Sequence, residues 1–547
     1  MQKYVDIDGL RAFKNELEEK FSTQNTDTAT TSSNGLMSAA DKAKLDGIES
    51  NAQVNVIETI KVNGTPLVPD ENKAVNITGA GGGGGLNPVI QVTCESSDIT
   101  VTKSGVNYPA TSHNGNIHIF PVDDYGTYDI TATATVFGVT VTRTTTVDVI
   151  DYNALKIFTA NINFRRRYGY RIKKTEADPY ERVEYLYDAV GMTPAHMDFD
   201  NGVFDYGDWG GIWFVQDNKP LMLKSDGTVD YYLNPNDYTL KENGELSDVA
   251  NIDYDGNAMA QFPLCWVYRY EDDKYLYEIV SNVQYDENYK AYAHTDASGN
   301  IKDYFYLGLF RASNISSKLR SIKGQALFQA PTLPNAFTYS TANGSGWHIK
   351  TWSQYCLVNT LLVLIGKSTD PPSIFGYGNM NNDVPFISGA SYDKGQFYGY
   401  NSDYTHQVKT FHAESFWGDE LDRLAGIFKY NDKIYVKMTP EGQGYFADAV
   451  TGYTNTGITP VTTDGIFITG MSCNEYGLIP TAASGGSGST YFCDTVGYRN
   501  ITLTDLYVGG QGAIIYNTPL IYGPFFMAFY RSPTETHYFM GCSLSYV

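Results

Sequence analysis

Positive charge is in short supply in this 547-residue chain: 39 Lys and Arg stand against 61 Asp and Glu, a formal net charge of −22 at pH 7. Such a chain repels phosphates rather than neutralising them, which argues against a nucleic-acid partner. Cysteine is scarce too. Cys94, Cys265, Cys356, Cys473, Cys493 and Cys542 lie at long intervals with no CxxC pair, so buried thiols are expected rather than a disulfide scaffold. Long apolar runs are missing: stretches such as Leu361–Ile365 are far short of the ~20 residues that cross a bilayer, and no membrane insertion is expected. No charged and then apolar segment follows Met1, so synthesis in a cytoplasm without a secretory signal is expected.

Catalytic spacings are absent as well. The eight histidines show no HExxH or other zinc pattern, and no G-x-S-x-G elbow occurs; Ser484–Thr490, SGGSGST, reads as a loop. Asn251, Asp253, Asp255 and Gly256 copy the first half of an EF-hand loop, but its twelfth position is Phe262 instead of a bidentate Glu. Asp419, Glu420 and Asp422 are among many carboxylates from which spacing selects no glycosidase pair, and they are expected as solvated surface groups and caps. The expectation is a protein that is not an enzyme, with no cofactor and no metal. One basic run, Arg165, Arg166, Arg167, Arg171, Lys173 and Lys174, is expected as a solvated or subunit-facing patch.

What the chain has in abundance is Gly (52), Tyr (44) and Phe (27), with charged residues at only 18%. That balance describes a β- and loop-rich protein, and the length suggests three or four units at the usual ~100–200 residues each. The richest stretch is the last forty residues, Val508–Val547, in which nine are Phe or Tyr and only Arg531 and Glu535 carry full charge. Alternate residues are expected to fill a core and the remainder to form a recognition surface, because Tyr and Phe give large contact area at little rotamer entropy.

The front of the chain is built of pieces too small to fold alone. Ile7, Leu10, Phe13, Leu17 and Phe21 make a two-heptad helical stripe, and GLMSAADKAKLDGI carries a capping box at Ser38 and Asp41 with a stop at Gly47. Asn63-Gly64 marks a tight turn between two strand-like runs. Neither a short helix nor a lone hairpin buries a core, so residues 1–78 are expected to form an oligomerising stalk completed by sister chains. The wording GLMSAADKAKLDGIESNAQVN followed by IKVNGTPLVPDENKAVNIT resembles the shaft segments of tailed-bacteriophage tail fibres and receptor-binding proteins. That resemblance implies a homotrimer on the virion tail, joined to other tail or baseplate proteins through its N-terminus.

Residues 79–85, GAGGGGG, read as a flexible linker. Residues 86–150 then show six or seven short alternating strands, the pattern of a small β-sandwich. Asp124, Gly126 and Tyr128 match the D-x-G-x-Y run of immunoglobulin-like domains, and a spacer role is expected.

Residues 151–547 are expected as one large domain. TWSQYCLVNTLLVLIG, residues 351–366, predicts a fully buried helix ending at Gly366. FHAESFWGDELDRLAGIFKYNDKIYVKMTP predicts a helix, a short strand, a turn at Asn431-Asp432 and a further strand. That order, with FWGDELDRLAGI and the ending VGGQG…GPFF…GCSLSY, resembles the C-type-lectin-like fold shared by formylglycine-generating enzymes and variable phage receptor-binding proteins. Asp419 stands where the family usually has Asn, and Leu421 and Leu424 stand near its customary Trp positions. The EPN and WND calcium motifs of sugar-binding members are absent, and Cys493 and Cys542 are too far apart for the copper pair of the oxidase branch.

In phage members the stretch between the final Gly-Gly and the closing G-x-x-L-S forms an exposed ligand-binding face. Carried over by position, the resemblance assigns Ile514, Tyr516, Asn517, Ile521, Tyr522, Tyr530, Arg531, His537 and Phe539 to that face. The fold expected overall is multidomain and mainly β, with an α+β tip. The function expected is attachment of a phage to a host surface receptor, glycan or protein. The alternatives are a tail-associated polysaccharide depolymerase and a purely structural tail or baseplate protein.

Overall fold

A computed structural model describes residues 88–547 except 95, 115, 137–138, 151–156, 163–165, 330, 380–386, 402–404, 442–448, 509–522 and 539, together with 60–62 and 65–67. The predicted helices near Ile7–Phe21 and Ser38–Gly47 and the linker at 79–85 lie outside the described residues. In the first compact unit, Met1–Leu86, the strands Ile60–Val62 and Thr65–Leu67 pair antiparallel with Val62 opposite Thr65. Asn63 and Gly64, expected as a tight turn, lie outside the described residues.

The second unit, Asn87–Val547, is mainly β. It begins with two four-stranded sheets. Asp98–Lys103, Val106–Tyr108, Gly126–Val136 and Val139–Val149 form one. Val89–Cys94, Ser112–Asn114, Ile117–Pro121 and Ile157–Ile162 form the other. Alternation does the sorting: Ile90, Val92, Cys94, Val101, Phe120, Tyr128, Ile130 and Ala132 point into a common core. Ile157–Ile162 runs parallel to Val89–Cys94 in unbroken register and joins the same sheet. A parallel partner is set by tertiary pairing, and no local turn signal announces it. Val283, far along the chain, also enters this core.

Tyr128 is fully buried, and its hydroxyl donates to the Asp124 carbonyl at 2.8 Å. The sequence run Asp124-x-Gly126-x-Tyr128 thus becomes a corner that ties the start of one strand to the turn before it. Tyr128→Phe should lower stability of the sandwich by about 1 kcal/mol, the net worth of one such bond. Thermal unfolding of the two proteins checks it, and an unchanged midpoint would remove the corner from the account.

The rest of this unit is built around the helix Trp352–Gly366, every residue of which is buried. Its N-terminus carries a capping box between Thr351 and Gln354. The helix ends at Gly366 as expected, but the left-handed stop is taken by the next residue, Lys367 (φ 51°). Gly366 serves packing instead: a Cβ there would meet the Phe375 ring at 3.2 Å.

A seven-stranded sheet has the order Asp237–Lys241, Val229–Asn234, Lys219–Lys224, Gly256–Pro263, Tyr304–Gly308, Leu544–Tyr546, Trp347–Ile349. The chain's last strand is therefore an interior one. A second sheet runs from Thr454–Asn455 and Lys433–Val436 through Leu421–Tyr430 to Leu503–Val508, Met527–Phe529, Thr495–Tyr498 and Ile466–Phe467. The helix predicted within FHAESFWGDELDRLAGI is not formed. Phe411, His412, Ser415 and Asp419 all have positive φ, which no helix accommodates, and Leu421–Tyr430 is a strand. Asn431 and Asp432 follow as two left-handed residues (φ 48° and 56°), the conformation a two-residue hairpin turn requires.

All six cysteines are buried free thiols. In the basic run, Arg171 pairs with Glu184, Lys174 with Glu271, and the Arg167 guanidinium lies 3.8 Å from the Tyr187 ring centre. Arg165 lies outside the described residues.

Candidate functional site

Of the nine side chains assigned to a binding face, Ile514, Tyr516, Asn517, Ile521, Tyr522 and Phe539 lie outside the described residues. Tyr530, Arg531 and His537 are described and half-buried. They sit on the turn that follows the strand Met527–Phe529, which pairs in parallel with Thr495–Tyr498. That pairing brings up Tyr498 and Arg499, two residues that the sequence reading did not assign.

Tyr530 covers Gly497 so closely that a Cβ there would come within 2.5 Å of its ring. Arg499 donates its backbone N–H to the Phe529 carbonyl (3.0 Å), and its guanidinium reaches Glu535 at 3.4 Å. Glu535 also accepts from the Ser532 N–H at 2.8 Å, closing the turn. His537 and Tyr538 have ring centres 4.5 Å apart, and Tyr538 is 61% exposed. Burial, and then the nearby positive Arg531, hold the His537 imidazole below its ordinary range, favouring the neutral ring. The result is a patch of aromatic and cationic side chains on a closed turn. It has stacking faces and donors.

The support beneath this patch overturns an expectation. Asp419, Glu420 and Asp422 are not solvated: each is at most 1% exposed. Asp422 accepts from Arg311 at 2.9 Å, from Lys350 and from the Ser543 hydroxyl at 2.9 Å. Asp419 accepts from Asn379 at 2.7 Å, Gln407 at 2.9 Å and Ser415. Glu420 lies 3.6 Å from Arg311. Between them Arg423, fully buried, pairs with Asp505 and donates to the carbonyl of Glu535. Arg423 thereby fixes from below the same turn that displays Arg531 and His537.

Asp494 does comparable work nearby, accepting the N–H groups of Gly523 (2.6 Å) and Phe525 (2.8 Å). The one sequence signal for this network was LDRL itself, two opposite charges inside an otherwise apolar strand. Charges so placed are buried only when paired and hydrogen-bonded.

A separate recess of about 440 Å³ is lined by Tyr206, Asn218, Tyr232, Asn236, Gln396 and His412, among others. Two of its amides are already engaged: Gln396 donates to the Val215 carbonyl and to Asn218, both at 2.9 Å. His412 is hydrogen-bonded to the Tyr238 hydroxyl at 2.8 Å and is held neutral by burial. Among the described residues, no group of three or more His, Cys, Asp or Glu is placed to hold a metal ion. Compared with known families and with curated proteins, the chain matches no family model and no curated protein.

Proposed function

We propose that the chain is a receptor-binding fibre protein of a tailed bacteriophage, carried on the virion tail. In this reading residues 1–78 form a homotrimeric stalk that joins other tail proteins, and the sandwich is an immunoglobulin-like spacer. The large domain is a C-type-lectin-like tip. The carrying observation is the Tyr530–Tyr538 turn: half-exposed aromatic and cationic side chains held on a fully buried ionic support. Such a surface loses little rotamer entropy on contact and suits a glycan or a protein receptor. Several tips on one particle turn weak contacts into firm attachment.

The test is adsorption of the labelled full chain to a panel of bacterial cells and immobilised cell-wall polysaccharides. Changing Arg531, His537 and Tyr538 together to Ala should weaken binding about tenfold or more, since each lost contact is repeated in every tip. Light scattering should give about three times the 60.7 kDa chain mass. No binding to any surface, or binding that the triple change leaves intact, would sink the proposal.

A further inference from the structure

Four of the buried arginines show how this fold treats a guanidinium out of reach of water. Arg269 pairs with Glu278 at 2.5 Å, Arg311 with Asp422, and Arg423 with Asp505. Arg320 has no carboxylate but donates to the Tyr254 and Gly256 carbonyls at 2.7 and 2.6 Å and to Asn257 at 3.1 Å. Arg182 is the exception. It is 1% exposed, yet its Nε and Nη1 have no hydrogen-bond partner, and Nη2 reaches only the Lys173 carbonyl at 3.5 Å. No described carboxylate forms an ion pair with it.

The flat face of its guanidinium lies 4.4 Å from the Phe492 ring centre and 5.4 Å from that of Tyr491. Rings stabilise the face of the cation but accept nothing from its in-plane N–H groups. An unpaired buried cation is costly, and a fold that keeps one in place without an internal acceptor leaves its donors for an external one.

Arg182 lines a cavity of about 280 Å³ together with Lys174, Glu271, Thr469, Ser472 and Thr481. The opposing charge in that wall is already committed: Glu271 holds Lys174 at 2.7 Å and accepts from the Ser472 hydroxyl at 2.9 Å. Lys174 and Glu271 keep about a third of their side chains exposed, whereas Arg182 is buried. The ion pair therefore stands toward solvent, and the uncompensated cation forms the inner wall. Burial lowers the Arg182 pKa to about 10, which leaves it charged at neutral pH.

We propose that this cavity is a binding site for a small oxyanion, a carboxylate, sulfate or phosphate group, received by the Arg182 guanidinium and by the third proton of Lys174, whose ammonium also holds Glu271 and the Asp272 carbonyl. Each edge of the guanidinium pairs Nη2 with Nε or with Nη1, and Nη2 has a second hydrogen beside the one directed at the Lys173 carbonyl, so one edge still offers two parallel donors to two oxygens of such a group. The cavity is smaller than those that enclose drug-sized molecules, so it takes one charged group, free or carried on a larger ligand. The inference is independent of the adhesion reading, because neither Arg182 nor Lys174 belongs to the chain-end patch.

Calorimetric titration of the full chain with sodium glucuronate, inorganic phosphate and sulfate, against chloride of matched ionic strength, tests it. Saturable binding is expected with at least one oxyanion. Glucuronate alone would assign an acidic sugar, and phosphate alone a phosphorylated group. Lys174→Gln, a partly exposed change, should weaken that binding about tenfold by leaving Glu271 unpaired beside the anion. Glu271→Gln should tighten it, a reversal that a merely structural role for the pair would not produce. Arg182→Met should abolish it while raising the melting temperature without anion, because the uncompensated cation is gone. Should Arg182→Met fail to fold, the opposite signs of the Lys174 and Glu271 variants carry the test. No saturable binding with any of the three anions, or binding unchanged by Lys174→Gln and Glu271→Gln, would overturn the site.

Discussion

Asp422→Ala should destabilise the large domain by about 3–5 kcal/mol, enough to consume much of a typical domain's stability. Asp422 is the acceptor for two buried cations, Arg311 and Lys350, and for the Ser543 hydroxyl. Its carboxyl is held below the ordinary range by these partners, against the opposing effect of burial. Truncation leaves Lys350 with only the Tyr355 and Phe416 rings for compensation, at 5.8 and 4.5 Å. Arg311 keeps the Glu420 carbonyl at 3.4 Å and the Ser543 hydroxyl at 3.4 Å, neither of which carries charge. Because the loss comes from stranded charge rather than from a missing attraction, replacing all three with Asp422→Leu, Arg311→Met and Lys350→Met should recover most of it. Denaturant unfolding of the single and triple variants measures both numbers. A triple variant as unstable as the single one would refute the desolvation argument.

Two residues earlier, the opposite substitution should stabilise. Burial raises the Glu420 carboxyl to about 8, outweighing the attraction of Arg311. In the unfolded chain the same group ionises near its ordinary value of 4.5. Between those values the native state holds a proton that the unfolded state has lost. The stability contributed by neutral Glu420 is therefore fully present below about pH 4.5 and is lost as pH rises toward about 8. Glu420→Gln keeps the shape and cannot ionise. Its advantage over the parent protein should be small at pH 5 and grow to the order of 3 kcal/mol at pH 8. Asp422→Asn should behave in the contrary sense, costing most at neutral pH and least in acid. Melting curves of the three proteins across pH 4–9 decide it, and parallel curves for Glu420→Gln and the parent would show that Glu420 ionises normally.

These two carboxylates show where reading from sequence stops. Asp419-Glu420-x-Asp422 has the look of a solvated acidic stretch, because a string of residues contains no term for what comes to meet it. The partners of these acids, Arg311, Lys350, Asn379, Gln407 and Ser543, are spread over more than two hundred positions. The same blindness turned a strand into a predicted helix. FWGDELDRLAGI carries apolar residues at helical intervals, but four left-handed residues before Leu421 and the burial of Asp422 and Arg423 make it an interior strand. Tyr498 and Arg499 could not be assigned to the chain-end patch for a related reason: only the parallel pairing with Met527–Phe529 brings them there.

What the sequence determined by itself is what its local chemistry enforces. Apolar residues all around Trp352–Gly366 leave no face for water, so that helix is interior. Alternation from Val89 to Val149 sorts a sandwich, and Asp124-x-Gly126-x-Tyr128 makes its corner, because these devices close within a few residues. The tertiary structure alone decided the rest. Which charges are buried, which strands lie parallel, and which arginine is left without a counter-ion depend on partners distant in the chain. A buried ion's free energy is set by those partners and by the water they exclude, and neither is recorded at the residue's own position.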